Sequence, residues 1–155
     1  LATIDATKAE FHIAGRAYPE PSFKTSDGKA RLHVISLPPV EILPANGLHL
    51  MTIRSEGQFN TVVYEDHDRY RGTTTRDVIL LAPADITRLG LRVNQRVTVR
   101  SSIGSMTSIR VAEGRIRAGN AAMYYPESNV LVPRDTDPHS GTPAFKSVAV
   151  TIVAE

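Results

Sequence analysis

Residues 77–90 read DVILLAPADITRLG and join a short apolar run to a short helical pattern. The run Val78–Leu81 is apolar throughout, which predicts a strand buried on both faces. Pro83 suits the first turn of a helix, and Gly90 is placed to end that helix in a left-handed conformation. The segment therefore predicts a buried strand followed by a helix over residues 83–89.

Alternating apolar residues predict further short strands on either side of this segment. They lie at 50–53, at 96–100, around 109–111, before Ile116 and at 147–153. Gly104 and Ser105 predict a turn between two of them. Many short strands, one short helix and frequent glycine turns favour a mainly β fold, a small barrel, over a sandwich or an α/β sheet.

The first part of the chain has weaker patterns. Residues 23–37 predict a hairpin, with a turn at Ser26-Asp27-Gly28 and a strand over 30–35. Residues 1–22 are predicted to be a linker or the tail of a preceding domain, so the barrel domain occupies 23–155. Because the chain begins with Leu1 and not methionine, we expect it to be a processed product or a piece of a longer protein.

Composition excludes several classes of function. The 155 residues include no cysteine, which rules out disulfides, thiolate catalysis and cysteine-held iron–sulfur clusters within this chain. The net charge is only +2 and the cations are scattered, which argues against a nucleic-acid partner. No apolar run reaches membrane-spanning length, so membrane insertion is not expected.

Residues 50–61, LMTIRSEGQFNT, form the most polar candidate site. A strand runs into a glycine turn at Gly57, where backbone N–H groups can be left free. Arginine pairs with phosphate, and side-chain amides form hydrogen bonds with the edges of heterocycles. The segment therefore suits a ligand that carries phosphates and a ring system, although an ordinary polar surface turn has the same composition.

Two other polar segments are candidate sites. Residues 124–146 form a long irregular stretch of the kind that is often functional, and the alternative is a surface loop in which Asp137 and Ser140 bond their own backbone. Residues 65–68, EDHD, offer metal-ligand types, but adjacent strand residues point to opposite faces. That stretch is predicted to be a solvated charged loop that continues through residues 69–71.

Four segments in this order resemble the C-terminal molybdopterin-dinucleotide-binding domain of the formate dehydrogenase and dimethyl-sulfoxide reductase superfamily. They are residues 23–30, 50–61 with the continuation 69–77, the pair 79–90 and 97–104, and 129–146. Within that superfamily they are most similar to formate-dehydrogenase-like alpha subunits. The resemblance covers residues 23–155 and implies a double-psi β-barrel with one or two short helices.

The resemblance also implies a cofactor site. In the family this domain clasps molybdopterin guanine dinucleotide through the turn after the signature strand and through the closing loop, residues 129–146. The positions that match are Arg54, Ser55, Gly57, Gln58, Asn60, Tyr124 or Tyr125, Asn129 and Lys146.

The rest of the machinery would lie outside this chain. The family places the ligands of molybdenum or tungsten, and any iron–sulfur cluster, in other domains, so the domain would not be catalytic alone. Its expected partners are the remaining domains of the parent oxidoreductase and a redox partner subunit. The parent enzyme is expected in the cytoplasm, with the periplasm as the alternative.

Two alternative functions remain open from the sequence. Pyruvoyl-type decarboxylases have the same barrel and cleave themselves at a Gly–Ser bond, and Gly104-Ser105 is such a bond. A non-catalytic barrel that binds a protein partner, like those appended to some ATPases, would also fit the strand pattern.

Overall fold

The computed structural model describes residues 4–7, 22–37, 39, 42–55, 58 and 65–155. Contacts between residues divide the chain into two units, Leu1–Val40 and Glu41–Glu155. The domain boundary predicted between residues 22 and 23 stays a prediction.

The first unit includes the short helix α1 (Ile4–Thr7) and a turn at residues 25–28. Gly28 has a φ of +69° there, and its N–H donates to Thr25 O over 3.2 Å. The predicted turn is therefore present, but the strand predicted over 30–35 is wrong. Residues 29–37 form no strand, and Val34 is fully exposed. A strand needs a neighbour that completes its hydrogen bonds and covers one face, and within the described residues this stretch has none.

The second unit consists of short strands and two short helices. The strands are β1 (Gly47–Ile53), β2 (Val78–Leu81), β3 (Arg96–Arg100), β4 (Ser105–Glu113), β5 (Asn120–Tyr124) and β6 (Val148–Ala154). The helices are α2 (Pro83–Arg88) and a 3-10 helix (Glu127–Leu131).

The six strands close into a barrel in the order β1-β5-β2-β4-β3-β6. Strands β1 and β5 pair in parallel, as do β2 and β4, and the other neighbours are antiparallel. This confirms the predicted double-psi β-barrel. The register of the first parallel pair sets Ile53 opposite Tyr124, so the C-terminal ends of β1 and β5 lie side by side.

The barrel interior holds the apolar residues that alternate along each strand. Val97 and Val99 of β3 are fully buried, as predicted from their spacing, and Val148 and Val150 of β6 face the same core. Every residue of β2 is buried, which confirms the prediction from its continuous apolar run.

Helix α2 lies at the place that the sequence predicted. Gly90 follows it with a φ of +65°, and Ile86 packs into the core. Asp85 in its first turn is buried and accepts a hydrogen bond of 2.7 Å from Gly119 N. The helix is thereby tied to the turn that leads into β5.

The sequence did not predict β5. Its residues, NAAMY, include no β-branched side chain and so give little local preference for a strand. The strand forms because β1 and β2 pair with it on both sides. The strand predicted to end at Ile116 is wrong, since Ile116 N donates to Gly114 O in a local turn.

Gly104 and Ser105 lie where β3 turns back into β4, as predicted. Ser101 N donates to Gly104 O over 2.9 Å and closes the turn. A Cβ atom at Gly104 would lie 2.4 Å from the carbonyl oxygen of Val130, which belongs to the 3-10 helix. The turn therefore requires glycine at position 104, because any side chain there would prevent its close approach to the 3-10 helix.

Candidate functional site

Three segments of the chain meet at the C-terminal end of β1. Tyr125 N donates to Ile53 O over 2.8 Å and extends the pairing of β1 with β5. Thr52 N donates to Phe145 O over 2.9 Å, which attaches the end of the closing loop, residues 129–146, to the other side of β1. The turn after β1 is thus held between two segments that are distant in sequence.

An open cleft of about 710 Å³ lies at this junction. Among the described residues, the charged side chains that line it are cations, namely Arg54, Arg71 and Lys146. Tyr125 and Phe145 give it aromatic surface. Guanidinium and ammonium groups pair with phosphate, and aromatic faces stack on planar rings. The cleft therefore suits an anionic ligand that carries a ring system.

Arg54 and Lys146 are predicted site residues, and both line the cleft. Both are exposed. The guanidinium carbon of Arg54 lies 5.7 Å from the ring centroid of Tyr125, and Lys146 Nζ donates to Thr52 O. Each cation is held at the rim by one contact and still faces solvent, where it can meet a ligand.

Ser55 and Gln58 have a different place. Both are buried, and Gln58 Oε1 accepts weak hydrogen bonds from Ser55 N at 3.3 Å and Ser55 Oγ at 3.4 Å. Gln58 Nε2 donates to Tyr125 O over 3.1 Å. These side chains shape the turn from inside, and neither lines the cleft.

Arg76 organises this interior, and no pattern in the sequence singled it out. It is 7% exposed, and its guanidinium donates to Ser55 Oγ at 2.9 Å and to Tyr125 O at 2.5 Å. It also forms a two-bond ion pair with Glu127, at 2.6 Å and 3.0 Å. Arg76 therefore joins the turn after β1 to the end of β5 and to the 3-10 helix.

Tyr124 and Tyr125 differ in position, and the resemblance left open which of them belongs to the site. Tyr125 lines the cleft. Tyr124 is 1% exposed, and its ring centroid lies 4.8 Å from the guanidinium carbon of Arg76. Its hydroxyl is bonded to Asp68 Oδ2 at 2.9 Å and to Thr73 Oγ1 at 2.6 Å. Tyr124 therefore lies beneath the cleft and does not face it.

The charged stretch 65–71 is only partly the solvated loop that the sequence predicted. Residues 65–67 and 69–71 are exposed, but Asp68 is fully buried. Asp68 N donates to Thr73 O over 2.9 Å, and the bridge between these residues closes a turn. The prediction was wrong for Asp68 because its burial comes from Tyr124, which is distant in sequence.

The environment of Asp68 keeps its carboxyl ionised. Burial by itself raises the pKa of the Asp68 carboxyl, but hydrogen bonds from Arg71 and Tyr124 and the charge of Arg71 outweigh it and hold that pKa below the ordinary value. Burial, with the nearby Asp68 carboxylate, raises the pKa of the Tyr124 hydroxyl. The pair therefore consists of a carboxylate and a neutral phenol at neutral pH.

The remaining predicted positions lie elsewhere. Asn129 is exposed on the 3-10 helix and does not line the cleft. Gly57 and Asn60 fall outside the described residues. In the closing loop, Asp137 Oδ1 accepts hydrogen bonds from His139 N at 3.0 Å and Ser140 N at 2.7 Å, the local turn that the sequence offered as an alternative.

Comparison with known protein families shows which family this chain belongs to. Residues 48–149 match the family model described as "Molydopterin dinucleotide binding domain". The chain belongs to this family. The match runs from Leu48 in β1 to Ala149 at the beginning of β6, and it includes every described residue that lines the cleft.

Relatives of this domain occur in longer proteins. An uncharacterized oxidoreductase of Mycobacterium bovis is 40% identical in an alignment of 141 residues, and the alignment covers 84% of this chain and 18% of the relative. The protein YdeP of Escherichia coli K12 is 31% identical in an alignment of 114 residues, and the alignment covers 68% of this chain and 15% of the relative. The chain thus spans less than one fifth of the length of these curated relatives.

A solved structure supports the fold of the domain. Acetylene hydratase from Pelobacter acetylenicus superposes with a TM-score of 0.53 at 16% identity, over 70% of this chain and 18% of that one. In the residues that our structure describes, no helix has the length and apolar character needed to cross a bilayer.

The chemistry of the cleft fits the family's ligand. A pterin dinucleotide carries planar ring systems and a diphosphate, and the cleft presents aromatic side chains together with cations. No group of three or more histidine, cysteine or acidic residues that could hold a metal occurs in the described part of the chain.

Proposed function

We propose that this domain holds molybdopterin guanine dinucleotide within a larger molybdenum- or tungsten-dependent oxidoreductase of the formate-dehydrogenase-like type. The observation that carries the proposal is the cation-lined cleft at the end of β1, inside the segment that matches the family. The neighbouring domains would ligate the metal, carry any iron–sulfur cluster and meet a redox partner. The domain has no catalytic step of its own under this proposal, and the parent enzyme is placed in the cytoplasm.

Each wall of the cleft has a role in this proposal. Arg54 and Lys146 hold phosphate oxygens, and Tyr125 and Phe145 cover a ring face and exclude water from it. The cofactor supplies the redox chemistry when bound, while this domain orients it and sets the local charge. The contacts beneath the cleft keep these side chains in place before the ligand arrives.

Substitution of Arg54 tests the proposal in the full-length protein that contains this domain. Arg54→Ala should lower the pterin content of the purified protein roughly tenfold after extensive dialysis, because one charge-assisted pairing with phosphate is lost. Pterin is measured by the fluorescence of its oxidised form after denaturation. The unfolding midpoint should move little, since Arg54 is exposed.

Arg100→Ala is the matched control, because Arg100 is also exposed but does not line the cleft. It should retain the wild-type pterin content. Equal pterin content in Arg54→Ala and wild type would show that Arg54 does not bind the cofactor. A wild-type protein that never contains pterin would refute the proposed function.

A further inference from the structure

Arg71 stands between two clefts. It lines the cation-lined cleft and also a second cleft of about 500 Å³ on the outer side of β1, β5 and β2. Ile53 is the other described residue that lines both clefts. The charged wall residues of the second cleft are Arg71, Arg115 and Glu113. An elongated ligand that occupies both clefts must pass Arg71.

One side of the Arg71 guanidinium is held by the protein. Nη1 donates to Asp68 Oδ2 at 2.5 Å and to Arg54 O at 3.1 Å. Asp68 itself is fixed, because its carboxylate also accepts hydrogen bonds from Tyr70 N at 3.1 Å and from the Tyr124 hydroxyl at 2.9 Å. The orientation of Arg71 therefore depends on a fully buried carboxylate.

The other side of the guanidinium is available. Within the described part of the chain, Nε and Nη2 of Arg71 have no protein partner, and the side chain is 35% exposed. An arginine whose only task is to neutralise a buried carboxylate commonly uses two parallel N–H groups for it. Arg71 instead uses Nη1 alone for Asp68. Its Nε and Nη2 groups, which together can donate to two phosphate oxygens, are left to bind a ligand.

We propose that Arg71 binds the diphosphate of the dinucleotide and that Asp68 is a positioning residue for it. This inference rests on the proposed function and extends it to two residues that neither the motif nor the resemblance assigned. The ring systems at the two ends of the ligand occupy the two clefts, and the diphosphate that joins them crosses the Nε and Nη2 edge of Arg71. Asp68 acts only through Arg71 and does not touch the ligand.

The test measures how fast the full-length protein loses its cofactor after transfer to cofactor-free buffer, from the pterin that remains bound. The variants are Arg71→Gln, Asp68→Asn and the double variant, with Arg100→Gln as the control for loss of one exposed positive charge. Arg71→Gln should raise the dissociation rate roughly ten- to a hundredfold, the range expected for one charge-assisted contact. The control should leave the rate unchanged.

The double variant separates positioning from general stability. Asparagine at position 68 keeps a side-chain oxygen for the turn but loses the ion pair that orients Arg71. Asp68→Asn should therefore raise the dissociation rate, and the double variant should lose cofactor no faster than Arg71→Gln alone, because both changes remove the same contact. Rates that multiply in the double variant would show that Asp68 acts independently of Arg71 and would overturn its assignment.

The outcomes distinguish this inference from the proposed function. If wild-type protein holds pterin and Arg71→Gln releases it at the wild-type rate, the inference fails and the proposed function stands. If wild-type protein holds no pterin, the proposed function fails and the inference fails with it. A faster release from Arg71→Gln with an unchanged control supports both.

Discussion

At the scale of single residues, the candidate site has an inner and an outer set of polar groups. In the outer set, Arg54 was predicted because an arginine near a glycine turn suggests phosphate binding, and Lys146 was predicted from the family resemblance of the closing loop. In the inner set, Ser55 and Gln58 were predicted, but Asp68 and Arg76 were not. Both lie in a polar stretch whose composition is that of a surface loop, and they are buried only because Tyr124 and Glu127, about fifty residues later, pack against them.

Arg76 gives a test of this inner set. Arg76→Ala should lower the free energy of unfolding by about 2–4 kcal/mol, because it removes the two-bond ion pair with Glu127 and the hydrogen bond to the buried Ser55 hydroxyl. Arg96→Ala is the control, since its ion pair with Asp77 is nearly half exposed and contributes less than about 1 kcal/mol. Denaturant unfolding of the chain measures both, and equal losses would contradict the role given to Arg76.

At the scale of secondary structure, prediction succeeded where the local pattern and the environment agree. Strand β2 and helix α2 were predicted with nearly correct limits, because their apolar residues meet the core that their spacing requires. Strand β5 and the strand expected over residues 30–35 show the two kinds of failure. The sequence of β5 has little strand preference, but two neighbouring strands stabilise it. Residues 30–35 have a strand-like sequence, but within the described residues they have no neighbouring strand.

The turn between β3 and β4 gives a prediction at this scale. Gly104→Ala should lower the free energy of unfolding by about 1–3 kcal/mol, because the new methyl group would collide with a backbone oxygen of the 3-10 helix. Ser102→Ala, an exposed change in the same turn, should cost less than about 0.5 kcal/mol. If denaturant unfolding finds the two variants equally stable, the close approach of turn and helix does not require glycine at position 104.

At the scale of the whole barrel, a single apolar core holds the strands that carry the candidate site. Val150 of β6 is 3% exposed inside that core, and β6 pairs with β1, which carries the cation-lined cleft at its end. The barrel as a class was predicted from the sequence because alternation along short strands reports one buried face. The double-psi topology was not predictable from alternation alone and was implied by the family resemblance.

Val150→Asp tests the dependence on this core. A carboxylate there has no partner, so the substitution should lower the free energy of unfolding by more than about 4 kcal/mol and abolish cooperative unfolding of the chain. Val153→Asp on the same strand is the control, because Val153 is 42% exposed. It should unfold cooperatively near the wild-type midpoint, and the same behaviour in Val150→Asp would place that residue outside the core.

The parallel pairing of β1 with β5 has a kinetic consequence. Gln58 and Tyr125, whose hydrogen bond joins the turn after β1 to the end of β5, are 67 residues apart in the chain. Contacts of such sequence separation carry a large loop-closure cost and form slowly. The chain must therefore bring β1 and β5 together before the site exists, so a ligand can be captured only late in folding. Cofactor insertion should thus follow barrel closure in time.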